Sequence, residues 1–134
     1  MKYLLDTNIC VFVIRKKSAL VLQRLRQQQV GQVGISSVTL AELRYGADKS
    51  LDPAKNHAAL NGFLIPLEII PFHEPAAMEY GRVRTELESL GTPIGPLDNL
   101  IAAHARQMNV TLVTNNVSEF SRVSRLVVED WSNP

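Results

Sequence analysis

Short apolar runs alternate along the chain with stretches of helical periodicity, and this alternation restricts the fold more than any other feature of the sequence. We expect strands at residues 3–5, 33–36, 67–70, 110–113 and 126–128. Helices are expected between the strands, beginning near Asn8, Ser18, Ser37 or Thr39, Pro53, Pro75 and Pro96. Such an alternation is typical of a parallel sheet covered by helices on both faces. The sequence therefore predicts an α/β fold of three layers, α/β/α, around a central parallel sheet.

The size of the chain fits one domain. Its 134 residues are 46% hydrophobic, and no repeat or linker divides them, so we expect a single domain over residues 1–134. One cysteine, Cys10, excludes an internal disulfide and zinc sites built on cysteine pairs. Apolar runs such as residues 9–14 are too short to span a membrane, and no small-residue cleavage site follows them. These features favour a cytoplasmic protein with no membrane contact.

The charges are distributed unevenly along the chain. The formal net charge of +1 argues against binding to nucleic acid by bulk charge alone. Residues 1–49 nevertheless hold eight basic and three acidic side chains, whereas residues 66–98 hold six acidic and two basic ones. This pattern fits either an ordinary solvated surface or a basic rim beside an acidic site.

Four acidic residues occupy unusual positions. Asp6 follows the first predicted strand directly, and Glu119 comes shortly after the strand at 110–113. Asp98 lies in the first turn of the helix that begins at Pro96, and Glu42 interrupts an apolar helical stretch. Taken singly, each has a structural explanation as a helix cap, a favourable helix N-terminal charge or a solvated side chain. Because parallel sheets bind ligands at the carboxyl ends of their strands, the four also fit one shared site.

A cluster of carboxylates has a chemical consequence. Carboxylates close together repel one another and do not all stay ionised unless a cation is present. Oxygen ligands without cysteine or histidine favour hard divalent ions such as Mg²⁺ or Mn²⁺. Such a centre promotes in-line displacement at a phosphodiester. The acidic residues therefore point to nuclease chemistry.

Four segments, in this order and spacing, resemble a known family. They are Leu4-Leu5-Asp6-Thr7-Asn8, residues 37–46, residues 95–105, and Leu112-Val113-Thr114-Asn115-Asn116 followed by Glu119-Phe120. The chain resembles PIN-domain ribonucleases, and more narrowly the VapC toxins of bacterial type II toxin–antitoxin modules, from residue 2 to Trp131. The resemblance implies a PIN fold and endonucleolytic cleavage of RNA that depends on Mg²⁺ or Mn²⁺.

The resemblance also implies roles for individual residues. It assigns metal binding and catalysis to four acids: Asp6, Glu42, Asp98 and Glu119. Thr7 and Thr114 match positions whose hydroxyls support the metal ligands. At Asn115-Asn116 the sequence departs from the wider PIN pattern, in which many members have an aspartate. Glu119 resembles the acid used instead in the VapC branch, and Asn116 is expected to be a polar supporting residue.

Substrate and partners follow from the same resemblance. It implies cleavage of structured RNA, with the anticodon region of initiator tRNA as the leading candidate, and products with a 5′ phosphate and a 3′ hydroxyl. It also implies a small VapB-like antitoxin whose C-terminal segment crosses the site, and a toxin homodimer that assembles further with antitoxin. The candidate RNA contacts are the basic residues of the N-terminal portion: Arg15, Lys16, Lys17, Arg24, Arg26 and Arg44.

Two other functions compete with this interpretation. A phospho-signalling receiver domain also places carboxylates at strand ends, but it needs an acidic pair near the first strand and a strand-end lysine, which this chain lacks. A catalytically silent PIN module that binds RNA or acts as a scaffold is the alternative from another functional class, and Asn116 is the residue that favours it. We expect His104 to be a packed histidine, Cys10 an apolar filler and Trp131 an anchor for the last strand.

Overall fold

The computed structural model describes residues 1–133. Within them the strands are β1 (Tyr3–Leu5), β2 (Val33–Ser36), β3 (Glu68–Ile70), β4 (Thr111–Val113) and β5 (Val128–Glu129). The helices are α1 (Thr7–Ile14), α2 (Ala19–Arg26), α3 (Ser37–Asp48), α4 (Pro53–Leu64), α5 (Glu74–Ser89), α6 (Pro96–Met108) and α7 (Val117–Phe120). Each predicted strand and each predicted helix has a counterpart among these elements.

All five strands are parallel and form one sheet in the order β3-β2-β1-β4-β5. The chain builds the sheet outward from β1 in one direction through β2 and β3, and then in the other direction through β4 and β5. The reversal lies between β1 and β4, and such a switch point is where open α/β sheets bind their ligands. The predicted three-layer α/β/α fold with a central parallel sheet is confirmed.

Helices pack on both faces because neighbouring residues of each strand point in opposite directions. Leu5 and Val113 join a buried cluster with residues of α1 to α4. Leu4 and Leu112 point to the other face, where they pack with residues of α5 and α6. The two clusters fix β1 and β4 at the centre of the sheet. The positions of Asp6 and Thr114, which directly follow these strands, are fixed as a result.

Side-chain caps define the helix starts around the site. Asp6 caps α1 by accepting the N–H of Ile9, so the expectation that Asn8 begins this helix is wrong. Ser36 caps α3 by accepting the N–H of Val38. At the far end of α6, Asn109 adopts a left-handed conformation with φ 56°, which ends that helix as the sequence predicts.

The last strand lies further along the chain than predicted. The apolar run at 126–128 suggested a strand, but β5 begins only at Val128, because Val128 pairs with Leu112 and Glu129 with Val113. Val127 is 60% exposed and belongs to neither buried cluster. The shift places Asp130, rather than Glu129, directly beyond the carboxyl end of the sheet.

The packing roles predicted for Cys10, Trp131 and His104 are confirmed. Cys10 and Trp131 are buried, and the Trp131 ring meets the Tyr3 ring edge to face at 4.9 Å. His104 is buried, with Nδ1 2.8 Å from the hydroxyl oxygen of Ser36. No helix in the described part of the chain is both long and apolar enough to cross a membrane.

Three of the six acids in residues 66–98 form ion pairs on or beside α5. Arg106 on α6 is 8% exposed and forms ion pairs with Glu79 at 3.0 Å and Glu86 at 2.9 Å on α5. Arg84 pairs with Glu88 along α5 at 2.9 Å. These acids therefore belong to the α5–α6 interface and the surface of α5, not to the edge of the sheet where ligands bind.

Candidate active site

Asp6 lies at the centre of the carboxyl edge of the sheet, directly after β1, and is 2% exposed. Its Oδ1 accepts the backbone N–H of Ile9 at 2.8 Å. Its Oδ2 accepts the hydroxyl of Thr114, which follows β4. The Thr114 oxygen in turn accepts the N–H of Asn116 at 2.9 Å. Because both carboxylate oxygens receive donors, the side chain is held in one orientation.

Glu42 reaches the same edge from α3. Its Oε1 accepts the hydroxyl of Thr7 at 2.8 Å. The Thr7 oxygen also lies 3.4 Å from the hydroxyl of Thr39, which is buried one turn before Glu42. Since Thr7 is the residue after Asp6, this bond fixes Glu42 next to the start of α1. The geometry agrees with the supporting role expected of Thr7.

Glu119 and Asp98 occupy the other side of the switch point. Glu119 accepts the backbone N–H of Gly95 at 3.1 Å through Oε1 and the side-chain amide of Asn116 at 2.6 Å through Oε2. A Cβ added to Gly95 would lie 3.5 Å from Oδ2 of Asp98, so the Asp98 carboxylate lies over this glycine. Glu119 thus ties α7 to the loop before α6 and stands beside Asp98.

The surroundings of Asp6 and Asp98 oppose their ionisation. Burial is the main reason that the pKa of Asp6 is raised to about 6; the charge of Glu42 adds to the rise, and the hydrogen bonds from Thr114 and Ile9 oppose it. Burial also raises the pKa of Asp98 to about 7, with further contributions from the charge of Glu119 and a hydrogen bond to it, and from the charges of Asp6 and Glu42. The carboxylates therefore sense one another's charge, as a shared site requires.

The pKa of Glu119 shifts in the opposite direction. Burial raises its pKa, but the hydrogen bonds from Gly95, Asn116 and Asp98, together with the charge of Arg122, hold the pKa below its ordinary value. Within the pair, these opposite shifts favour the proton on Asp98 over Glu119. Two carboxyl groups with opposite shifts are characteristic of functional sites.

The donor set fits a hard divalent cation. All four acids offer oxygen atoms, and a cation would relieve the repulsion that raises the pKa values of Asp6 and Asp98. Within residues 1–133, no three Asp, Glu, His or Cys side chains already stand around one point at ligand distances. Both oxygens of Glu119 are engaged by Gly95 and Asn116. Side-chain rotation toward an ion is therefore required for direct ligation by all four.

The basic residues predicted to contact RNA have different local surroundings. Arg15 lines the same cavity as Glu42. Lys16 and Arg26 line a different groove, between α1, α2 and α4. Lys17 is exposed. Of these four, Arg15 is the one that shares a cavity with an acid of the site.

Arg24 and Arg44 are engaged by other side chains. The guanidinium carbon of Arg24 lies 5.5 Å from the ring centroid of Trp131. Arg44 approaches His57 Nδ1 at 3.0 Å with Nη1, and donates to Asn61 Oδ1 at 2.7 Å with Nη2. Arg44 therefore links α3 to α4, and its guanidinium is turned toward that helix.

Sequence reasoning missed two residues of this site. Thr39 was named only as a possible start of the third helix, although its hydroxyl lies 3.4 Å from that of Thr7. Asp130 contributes a charge that raises the pKa of Asp6. Its position at the edge of the sheet was hidden because the last strand was placed two residues too early. The signal available for Asp130 was the same as for Asp6, an acid directly after a strand.

Comparisons with known proteins decide the family. The PIN domain family matches residues 3–126. A relative from Shigella flexneri, described as tRNA(fMet)-specific endonuclease VapC, is 47% identical over 132 residues, covering 98% of this chain and 99% of that protein. The chain belongs to the VapC ribonucleases of the PIN-domain family. Ribonuclease VapC2 from Rickettsia felis, another VapC relative, is 46% identical over 98% of both chains.

Solved VapC structures agree with the fold. The VapBC complex from Salmonella typhimurium, bound to DNA, contains a chain with a TM-score of 0.93 and 43% identity, and 98% of each chain is covered. VapBC2 from Rickettsia felis, bound to a DNA fragment from its promoter, gives a TM-score of 0.90 and 44% identity, covering 98% of this chain and 99% of that chain. As a VapC ribonuclease, the chain is an enzyme of a family whose nucleases generally use divalent metal ions.

Proposed function

We propose that this chain is the toxin of a type II toxin–antitoxin module and cleaves structured RNA in the cytoplasm with Mg²⁺ or Mn²⁺ as cofactor. The observation that carries the proposal is the burial of Asp6 at the switch point of the sheet, where the charge of Glu42 adds to the rise in its pKa. A buried carboxylate near other carboxylates is costly without a cation. The arrangement therefore makes sense as a metal centre rather than as a structural feature.

The residues of the site divide into ligands and supports. Asp6, Glu42 and Asp98 would hold the ion, with Glu119 as a further ligand after release of one of its present hydrogen bonds. Thr114 orients Asp6, Thr7 orients Glu42, and Asn116 orients both Thr114 and Glu119. Supporting hydrogen bonds of this kind tune ligands in metal sites generally.

The expected reaction is hydrolysis of a phosphodiester. A bound divalent ion supplies Lewis-acid stabilisation of the charge that builds on phosphate oxygens and makes water a better nucleophile. The protein's own part is to hold its carboxylates in a partly dry edge of the sheet, where they act strongly. The products would carry a 5′ phosphate and a 3′ hydroxyl.

Initiator tRNA is the leading substrate candidate. Two relatives with 47% and 43% identity over nearly the whole chain are described as tRNA(fMet)-specific endonucleases. The anticodon region is a single-stranded loop, the form of RNA in which bases are open to recognition. Cleavage there would stop translation at its first step.

A VapB-like antitoxin is the proposed partner. The structural neighbours from Salmonella typhimurium and Rickettsia felis are VapBC complexes. In this chain an apolar groove between α1, α2 and α4 is lined by Leu22, Leu25 and Phe63, with Lys16 and Arg26 at its margin. Such a groove suits an amphipathic protein segment. We also propose that residues 1–134 act as one domain and that the toxin forms homodimers, which assemble further with antitoxin.

The test is cleavage of total tRNA by the purified protein. Incubation with Mg²⁺ or Mn²⁺ is expected to produce discrete fragments from one tRNA, identified by sequencing the 5′-phosphate ends. Asp6→Asn keeps the size of the side chain and one of its two acceptor oxygens but removes its charge, and we expect it to lose cleavage, as does wild type in EDTA. Cleavage that persists in Asp6→Asn would contradict the metal-site assignment, and no cleavage of any RNA by wild type would favour a silent module.

A further inference from the structure

We propose that the cavity between α1, α3 and α4, beside Glu42, is a subsite that receives one base of the RNA next to the cleaved phosphate. The proposal rests on the proposed function, since it assigns a specificity role within RNA cleavage. It concerns residues outside the acidic site itself. They are Arg15, Gly46, Lys49 and Asn56, with Tyr45 beside them.

The cavity opens directly from the acidic site. Thr7 and Glu42 line it at one end, and its walls are formed by Val11, Leu43 and Leu60. Its volume is about 200 Å³, which is below the range of roughly 300–1,000 Å³ usual for drug-sized ligands. An apolar space of this size beside a phosphodiester-cleaving site suits a single flat group such as a nucleobase.

Two positive charges line this cavity, beside the negative charge of Glu42 at the end nearest the acidic site. Arg15 and Lys49 both contribute to its lining, from α1 and from the end of α3. A base held here would bring its own phosphate and the next one within reach of these two side chains. Charge complementarity therefore favours RNA as the occupant.

An exposed aromatic ring extends the same surface. Tyr45 lies one turn after Glu42 on α3 and is 65% exposed. The Lys49 ammonium lies 4.9 Å from the centroid of its ring. Aromatic rings beside cations are the usual platform for unstacked bases of single strands. Tyr45 is thus placed to stack on the neighbouring base while the first base enters the cavity.

Asn56 supplies a polar group for reading the base. Its side-chain amide donates to Ser50 Oγ at 2.8 Å and to the backbone carbonyl of Asp52 at 3.1 Å. Both amide hydrogens are therefore used, and the oxygen is the group that remains to accept a hydrogen bond. An acceptor held in this way favours bases with an exocyclic amino group.

Gly46 makes the proposal testable because the cavity can be filled from it. It lines the cavity, and a Cβ built there meets no atom within 4 Å. The first side-chain atom of Gly46→Leu therefore has open space, the leucine adds bulk to the lining of the cavity, and replacing a helix-interior glycine favours α3. Gly81 on α5 offers the same open surroundings, so Gly81→Leu is a matched control outside this cavity.

The experiment uses a pool of RNA hairpins with randomised loops as probe, with Mn²⁺ present, and sequencing of the 5′-phosphate ends. Wild type and Gly81→Leu are expected to show a base bias at one position next to the cut. Gly46→Leu should abolish that bias and lower the cleavage rate at favoured loops by about tenfold or more. Asn56→Leu should weaken the preference for amino-bearing bases. An unchanged bias and rate in Gly46→Leu would overturn the proposal.

A binding arm separates this inference from the proposed function. The same pool is bound to Asp6→Asn protein in EDTA, and the retained loops are sequenced. The same binding is repeated with the double variant Asp6→Asn/Gly46→Leu. If the enrichment of particular loop sequences is lost in the double variant, the subsite is supported even if wild type cleaves no RNA in the pool. If Gly46→Leu leaves both enrichment and cleavage unchanged but prevents inhibition by the antitoxin, the cavity receives a protein side chain and the RNA subsite is disproved.

Discussion

Thr114 donates its hydroxyl to Oδ2 of Asp6, although 108 positions separate the two residues in the chain. The bond joins the residue after β1 to the residue after β4 at the point where the strand order reverses. Because Asn116 donates its N–H to the same threonine oxygen, the contact also fixes the turn that leads to Glu119. One hydroxyl thus couples the two sides of the acidic site.

Replacing this hydroxyl tests its role. Thr114→Val keeps the volume but removes the donor to Asp6, so we expect cleavage to fall by about 10- to 100-fold, the usual effect of losing a support to a metal ligand. Thr114→Ser retains the donor and should keep most of the activity. Rates of tRNA cleavage at a fixed Mn²⁺ concentration measure the effect. Equal rates for Val and wild type would show that the bond has no functional role.

The ion pairs of Arg106 predict a loss of stability in acid. The pKa of Glu79 is below its ordinary value because the hydrogen bonds and charge of Arg106 outweigh burial, and that of Glu86 is lowered first by its hydrogen bond to Arg106. The unfolded chain therefore takes up protons at higher pH than the folded one, and stability should fall as the pH drops below 4.5. Urea unfolding across this range measures it.

Removing the arginine gives the matching comparison. Arg106→Met leaves the largely buried Glu79 with only the exposed Arg82 as its partner, and we expect a loss of about 3 kcal/mol in the free energy of unfolding at neutral pH. The acid-dependent part of the stability should shrink in this variant. A variant with the full wild-type pH dependence below 4.5 would show that other groups cause it.

His104 is expected to make stability depend on pH in a second, higher pH range. Burial lowers its pKa, and the charge of His73 lowers it further, so the folded protein keeps His104 neutral below the ordinary value of 6.5. Unfolding then takes up a proton at His104, so the contribution of His104 to stability decreases as the pH falls below 6.5, whereas the raised pKa values of Asp6 and Asp98 contribute in the opposite direction. His104→Leu removes this dependence but leaves the Ser36 hydroxyl without its hydrogen-bond partner on the imidazole, at a cost of about 1–3 kcal/mol. Thermal unfolding at several pH values distinguishes the two effects.

A side chain at Gly34 is expected to destabilise the sheet through a steric clash. A Cβ at this position would lie 2.6 Å from Met1 Sδ and 2.8 Å from the backbone oxygen of Glu68 on β3. Met1 can move, but the backbone oxygen belongs to the strand paired with β2, so Gly34→Ala should cost about 1–3 kcal/mol. Gly81→Ala meets no atom and should be neutral or stabilising by up to about 1 kcal/mol. Chemical unfolding of both variants checks the contrast.

Local patterns were enough to predict most of the fold. The apolar run that stops at Asp6 and the helix bounded by Pro96 and Asn109 are each defined by neighbouring residues, and the structure has them at those positions. The last strand was misplaced because its position depends on pairing with Leu112 and Val113, not on the apolar run at 126–128. Strand register depends on pairing between distant residues, so the sequence did not predict that Asp130 directly follows the last strand.

The acidic residues of the candidate site could be picked out from the sequence, but the hydrogen bonds that hold them could not. Asp6 and Glu42 stand out in sequence because an acid interrupts an apolar stretch or ends a strand. The N–H of Gly95 that binds Glu119, and the hydroxyl of Thr39 near Thr7, depend on how loops meet after folding. The sequence also does not show the local partners of the basic residues, such as Trp131 for Arg24 and His57 and Asn61 for Arg44, whereas their role as RNA contacts stays a prediction.

The most direct test of the metal-centre account is Mn²⁺ binding measured by electron paramagnetic resonance, alongside tRNA cleavage, for wild type and Asp6→Asn. The account predicts that wild type binds Mn²⁺ and cleaves tRNA, and that Asp6→Asn loses both together while unfolding at or above the wild-type temperature, since a buried charge has been removed. Mn²⁺ binding and cleavage in Asp6→Asn equal to wild type would contradict it.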